Sequence, residues 1–226
     1  MDIPNESALL TVNHLLKNFE ITRGFPKSTT YTIRAVDDVS FVINKKEAFG
    51  LAGESGCGKS TVGRCILRLI EPTSGQVLLN GADVLGIHKK ALRSVRKKMQ
   101  IIFQDPYSSL NPRRTIGQAL EEPMKVHNLY PGNDARHVVK DLLEKVGLSV
   151  NAIDKYPYEF SGGQRQRVGI ARAILFNPEL IVADEAVSAL DVSIQMQILN
   201  LMQDLKETLS LSYLFISHDL AVVRYF

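Results

Sequence analysis

Residues 53–61 read GESGCGKST, and few stretches of that length leave a chain less choice of fold. They fit G-x-x-x-x-G-K-[ST] without a mismatch. A short apolar run, Ala48-Phe49-Gly50-Leu51-Ala52, precedes them, and Val62, Cys65, Ile66 and Leu69 follow at helical spacing over 59–70. Strand, glycine-rich turn and helix in that order aim a nest of backbone N–H groups and a helix N-terminus at one point, which suits a phosphate. Gly53, Gly56 and Gly58 allow the turn, because glycine takes positive φ at no steric cost. Lys59 adds a full positive charge for β- and γ-phosphates, and the Ser60 hydroxyl can ligate Mg²⁺. Gly53, Glu54, Ser55, Gly56, Cys57, Gly58, Lys59, Ser60 and Thr61 are the candidate nucleotide-binding residues, with Mg²⁺ as the implied cofactor.

The rest of the chain agrees with an α/β fold. Short β-rich segments are expected at 9–15, 33–36 and 39–43, the last from the alternation of Val39, Phe41 and Ile43, with a Gly/Pro/Ser/Thr loop over 21–31. A strand at 76–79 runs into Asn80-Gly81, a hairpin dipeptide. Strands at 99–103, 180–183 and 213–216 alternate with helices at 162–176 and 192–209, which argues for a mainly parallel sheet. Between 106 and 160 the strand signals fade, prolines stand at 106, 112, 123, 131 and 157, and amphipathic stretches run over 116–127 and 135–146. The expectation is one domain over 1–226 carrying an inserted, mostly helical subdomain at about 106–175.

A length of 226 residues suffices for one large core. The formal net charge of +3 implies no polyanion partner. No apolar run approaches the roughly 18 residues of a spanning helix. The opening MDIPNESALL lacks the basic-then-apolar order of a signal peptide. Cys57 and Cys65 form neither CxxC nor a secreted disulfide framework. A reduced, cytosolic chain is expected, one that reaches a membrane only by docking on something else.

LIVADE, 180–185, places two carboxylates at the C-terminal end of a core strand, where ligands sit in open α/β sheets. With the glycine-rich loop upstream, Asp184 is the candidate Mg²⁺ partner, and Glu185 is placed to orient or deprotonate an attacking water. His218 ends the last strand and should arrive at the same edge. His14, His88, His127 and His137 show no ligand spacing. The basic run 88–98 reads as a solvated helix face, since no aromatic residue interleaves to stack on bases.

Together these residues resemble the ATP-binding cassette, the ATPase subunit of ABC transporters. GESGCGKST is similar to its Walker A motif, LIVADE to its Walker B, and SGGQ at 161–164 to its signature. Gln104 in IIFQDP matches the Q-loop, SALD at 188–191 the D-loop, and His218 the switch histidine. The resemblance covers 9–219 and implies a P-loop NTPase cassette: an antiparallel β-rich N-terminal part, a mainly parallel core sheet and the helical insertion. Two cassettes pack head to tail in this family. Ser161, Gly162, Gly163 and Gln164 would then cap ATP held by another chain's Walker A, with Asp191 at that interface. Gln104 would contact Mg²⁺ or the attacking water, join Ser60 and Asp184 as a metal residue, and relay docking to a membrane partner. Phe19 is the better match to the family's adenine-stacking aromatic, and Tyr31 the weaker candidate.

FQDPYSSLNPR, EFSGGQRQR and DEAVSALDVSIQ further resemble the ATPases of bacterial dipeptide, oligopeptide and nickel importers. SGGQRQR, as opposed to SGGMRQR, is similar to one member of the two-ATPase pair of such systems. The resemblance therefore implies a heterodimeric pair, with a homodimer as the alternative, at the cytoplasmic side of the cell membrane, under two transmembrane permease subunits, fed by an extracytoplasmic binding protein, with no nucleic acid. Peptides, nickel and glutathione all have homologous cassettes, and nothing here selects among them. Family members continue beyond the position of Phe226 with further strands and an extension, so a fragment is expected, with an exposed sheet edge. Two other readings are a soluble, non-transport ABC ATPase and a degenerate regulatory cassette. The first usually needs tandem cassettes or a long coiled-coil insertion, and the second predicts loss of Glu185 or His218, both of which are present.

Overall fold

The computed structural model describes residues 7–24, 28–105, 107–130 and 134–226. The elements follow in the order β1 (Ala8–Arg23), β2 (Thr29–Asn44), β3 (Ala48–Ala52), α1 (Lys59–Ile66), β4 (Ser74–Leu79), β5 (Ala82–Asp83), α2 (Lys89–Lys98) and β6 (Met99–Ile102). Then come α3 (Ile116–Val126), α4 (Asp134–Lys145), α5 (Gly162–Ile174), β7 (Leu180–Asp184), α6 (Val192–Leu209), β8 (Ser212–Ser217) and α7 (Leu220–Tyr225). Among the described residues the strands form two sheets, an antiparallel one in the order β2-β1-β4-β5 and a parallel one in the order β3-β8-β7-β6. This is the expected α/β architecture.

β7 and β8 are buried along their whole length, as strands covered on both faces must be. Their side chains alternate between two cores. Leu180, Val182, Leu214 and Ile216 enter one with α1 and the antiparallel sheet; Ile181, Ala183, Tyr213 and Phe215 enter the other with α3, α4, α5 and α6. The parallel sheet is therefore the wall between two apolar layers, each buried aliphatic or aromatic side chain contributing about 1.5–3 kcal/mol. Between β6 and β7 the chain is helical, with α3, α4 and two single 3₁₀ turns at Val150–Asp154 and Pro157–Glu159. No helix among the described residues is long and apolar enough to cross a membrane.

Three local expectations need correction. The loop expected over 21–31 is mostly strand: Ile21 pairs with Tyr31, Thr22 with Thr30 and Arg23 with Thr29. Phe25, Pro26 and Lys27, like Pro106 and Pro131, lie outside the described residues. The segments 33–36 and 39–43 are one strand, β2, which absorbs a bulge at Asp38 (φ 53°). The helix expected over 59–70 ends at Ile66, because Arg68 turns left-handed (φ 51°) while its side chain grips Glu71 Oε1 (2.9 Å) and the Ile87 carbonyl (2.6 Å). Leu69, expected on the buried helix face, is consequently exposed. The Asn80-Gly81 turn holds: both residues have positive φ, 49° and 78°, as a tight turn between β4 and β5 requires.

Candidate nucleotide site

The C-terminal ends of the four parallel strands carry the chemistry. β3 runs into the 53–58 loop, β8 delivers His218, β7 delivers Asp184 and Glu185, and β6 is followed by Gln104. Adjacent strands lie about 4.8 Å apart, so the four ends fall on one edge within reach of a single triphosphate.

At the loop, Gly58 has φ 99° and caps α1. A Cβ there would lie 1.9 Å from the Ala35 carbonyl oxygen of β2, so both conformation and space demand glycine. That contact also fixes the loop against the antiparallel sheet. Lys59 is 6 % exposed, and its Nζ donates to the carbonyls of Gly53 (2.7 Å) and Glu54 (2.6 Å). Ser55, Gly56 and Cys57 are exposed in the loop, and Thr61 continues α1.

Ser60 Oγ donates to Asp184 Oδ1 at 2.6 Å, joining the first turn of α1 to the end of β7. Asp184 is 3 % exposed, and its other oxygen lies 3.6 Å from Arg64 Nη2. Ser60 and Asp184 together offer hard oxygen donors of the kind Mg²⁺ takes, so the residues present fit that ion.

Glu185, next in sequence, does not continue the strand. Its φ is 48°, a left-handed conformation that costs a non-glycine residue about 1–2 kcal/mol, and its N–H donates to the Ile216 carbonyl at 3.0 Å. Its carboxylate has different partners from that of Asp184. Glu185 Oε2 accepts from Gln104 Nε2 at 3.0 Å and lies 3.3 Å from His218 Nδ1. Ser188 closes the turn, donating its hydroxyl to the Glu185 carbonyl (3.0 Å), with Gln104 Nε2 3.4 Å from that hydroxyl.

The structure thus brings together Lys59, Ser60, Asp184, Glu185, Gln104 and His218. It does not join Ser161, Gly162, Gly163, Gln164 or Asp191 to them by any hydrogen bond or ion pair among the described residues. Ser161 caps α5: its Oγ accepts from Gln164 N (3.3 Å) and its N–H donates to Gln164 Oε1 (3.0 Å). Asp191 caps α6 and is exposed beside Val192.

Phe19 and Tyr31 lie on the same face of the β1–β2 ribbon. Phe19 is paired with Ile33, and Ile21 with Tyr31, so the four make a part-exposed apolar face, while Asn18, Glu20, Thr30 and Thr32 take the other. Lys17 Nζ sits 4.9 Å from the Phe19 ring centroid. Sequence reasoning missed Arg64 and Lys17, and named Ser188 only within the D-loop match, without its contacts to Glu185 and Gln104. Arg64 was within reach of it, since it stands one helical turn after Ser60 and shares its face. Ser188 and Lys17 act through pairings that only the folded chain reveals.

Residues 36–188 match the ABC transporter family model. Over 226 residues the chain is 51 % identical to the oligopeptide transport ATP-binding protein AppF of Bacillus subtilis (strain 168), covering all of this chain and 69 % of that protein. It is 52 % identical over 218 residues to the probable peptide ABC transporter ATP-binding protein y4tS of Sinorhizobium fredii (strain NBRC 101917 / NGR234), covering 96 % of this chain and 62 % of that one. The chain thus spans roughly two thirds of the length of these relatives. Among solved structures, the ATP-binding cassette MJ0796, a dimer in a post-hydrolysis state bound to ADP and Pi, superposes with a TM-score of 0.81 at 28 % identity, covering 96 % of this chain and 90 % of that one. With the matched family model spanning loop, Gln104 and both carboxylates, this chain belongs to the ABC transporter family, as an ATP-binding domain.

Proposed function

We propose that this chain is the ATP-hydrolysing subunit of an importer for peptides or a related small solute, acting at the cytoplasmic face of a membrane beneath permease subunits. Relatives named as oligopeptide and peptide transport ATP-binding proteins, at about half identity, support the transport class. The observation that carries hydrolysis is the single oxygen Glu185 Oε2, shared by Gln104 and His218 at the strand ends.

Each group has a task in that reaction. The 53–61 loop and Lys59 hold the phosphates of ATP. Ser60 and Asp184 would hold Mg²⁺, which neutralises phosphate charge when bound. Gln104 and His218 fix one oxygen of Glu185, leaving Oε1 to take a proton from the water that attacks the γ-phosphorus. The strand register ranks the aromatic candidates. Ile33, the partner of Phe19, is two residues from Ala35, against which the loop packs, whereas Tyr31 is four away. At about 3.4 Å per residue that is roughly 7 Å against 14 Å, which supports Phe19 over Tyr31 as the adenine platform.

Ser161, Gly162, Gly163 and Gln164 serve the nucleotide of a second cassette, with Asp191 at that interface. A heterodimer with a different ATPase is the expected state, fed by an extracytoplasmic binding protein. Replacing Glu185 by Gln keeps the contacts' shape and removes the base. Steady-state ATPase should fall by about 10²–10⁴-fold while an ATP-bound dimer accumulates on gel filtration. Near-normal turnover would place the base elsewhere.

A further inference from the structure

The ribbon that carries Phe19 also carries a cation that the hydrolysis chemistry leaves unused. Lys17 and Phe19 lie two apart on β1, on the same face, and the ammonium stands 4.9 Å above the ring centroid. The same Nζ donates to the Glu71 carbonyl at 2.8 Å. Its neighbours repeat the tie: Thr73 N donates to the Leu16 carbonyl (2.7 Å), and Asn18 N donates to Thr73 Oγ1 (2.9 Å). The 71–73 segment is the continuation of α1 beyond Arg68, and α1 begins at Lys59 in the phosphate loop. Lys17 is therefore bonded to the backbone just past the far end of α1 and stacked on the ring proposed to carry the base.

From this geometry we infer that Lys17 is a positioning residue for the purine. The inference rests on the reading of Phe19 as the adenine platform. Two effects follow from the placement. A cation on one face of a benzene ring draws π-density toward itself, leaving the opposite face a better partner for an electron-rich purine. Holding the ring from below also removes rotamer freedom before the nucleotide arrives, which lowers the ordering cost of binding. Because Lys17 is anchored to the segment after α1, the ring is held from a fixed backbone and not from another mobile side chain.

The test compares the affinity of the full chain for Mg·ATP and for inorganic tripolyphosphate, which fills the phosphate cradle but has no base. Lys17→Met preserves length and removes charge; it should weaken ATP about three- to tenfold and leave tripolyphosphate within about twofold. Lys17→Arg should restore ATP affinity, and Lys17→Met should add nothing in a Phe19→Ala background. If Lys17→Met weakens both ligands equally, Lys17 is scaffold only and the inference is overturned. If Phe19→Ala weakens ATP and Lys17→Met does not, the ring binds the base without help from Lys17. If Phe19→Ala leaves ATP affinity intact, the stacking reading itself is lost, and this inference with it.

Discussion

Cys57 and Cys65 carry the same thiol into opposite surroundings. Cys65 is wholly buried on the inner face of α1, and burial pushes its thiol up to about 11. At pH 8 a thiol of that kind is thiolate in about one molecule in a thousand, and the thiolate is the nucleophile. Cys57 is exposed at the tip of the phosphate loop, with Lys59 Nζ 3.8 Å from its sulfur. Native protein at pH 8 should therefore release one equivalent of chromophore from a disulfide reagent such as DTNB, with the second appearing only on denaturation. Saturating Mg·ATP should slow the first reaction by covering the loop. Two rapid equivalents in the native state would contradict the burial of Cys65.

At the scale of elements, the packing of α5 against α6 turns on one glycine. A Cβ on Gly163 would fall 2.5 Å from Ile194 Cγ2, a branch methyl that cannot swing clear, whereas one on Gly162 meets Leu190 Cδ2 at 3.3 Å, the end of a flexible chain. Gly163→Ala should cost about 1–3 kcal/mol in urea denaturation, and Gly162→Ala under about 1 kcal/mol. Equal losses would mean that the two helices do not close on this point. The same scale shows what the primary structure makes readable. β7 and β8 could be found because a strand buried on both faces is a run of apolar residues, and the loop and its two carboxylates because their chemistry admits few residue types. The outer ribbon was hidden because turn-forming residues at 24 and 28 sit beside Thr29, Thr30 and Tyr31, whose strand preference shows only once Ile21 and Thr22 face them. The end of α1 was hidden because it depends on an arginine held left-handed by distant partners, with no glycine to mark it.

For the whole molecule, the role proposed for the signature can be tested on the chain alone. Ser161 commits one hydroxyl lone pair and its N–H to Gln164 and remains exposed, as does Gly162. Among the described residues its hydroxyl proton has no acceptor, and on the proposed reading it is the donor a phosphate of another chain would meet. Ser161→Arg should abolish turnover by at least about a hundredfold, the loss expected when a phosphate-binding donor is removed. Binding of ATP to the single chain, followed by tryptophan-independent titration calorimetry, should be unchanged. Loss of that binding would show that the signature serves its own chain's nucleotide.

The spatial order of the parallel strands, β3-β8-β7-β6, has a consequence for how news of one end of the site reaches the other. Read across the edge, the order is phosphate loop, His218, the carboxylates, then Gln104. Gln104 is thus the station most remote from the loop and the first before the helical segment that begins beyond β6. Three strand spacings, about 14 Å, separate the two ends. On the proposed reading, a movement of the segment after Gln104 would reach the nucleotide by loading or unloading one oxygen atom, Glu185 Oε2, at which Gln104 and His218 meet. Such a molecule would carry a single-wire telegraph across its sheet, with the base that would perform the reaction as the key.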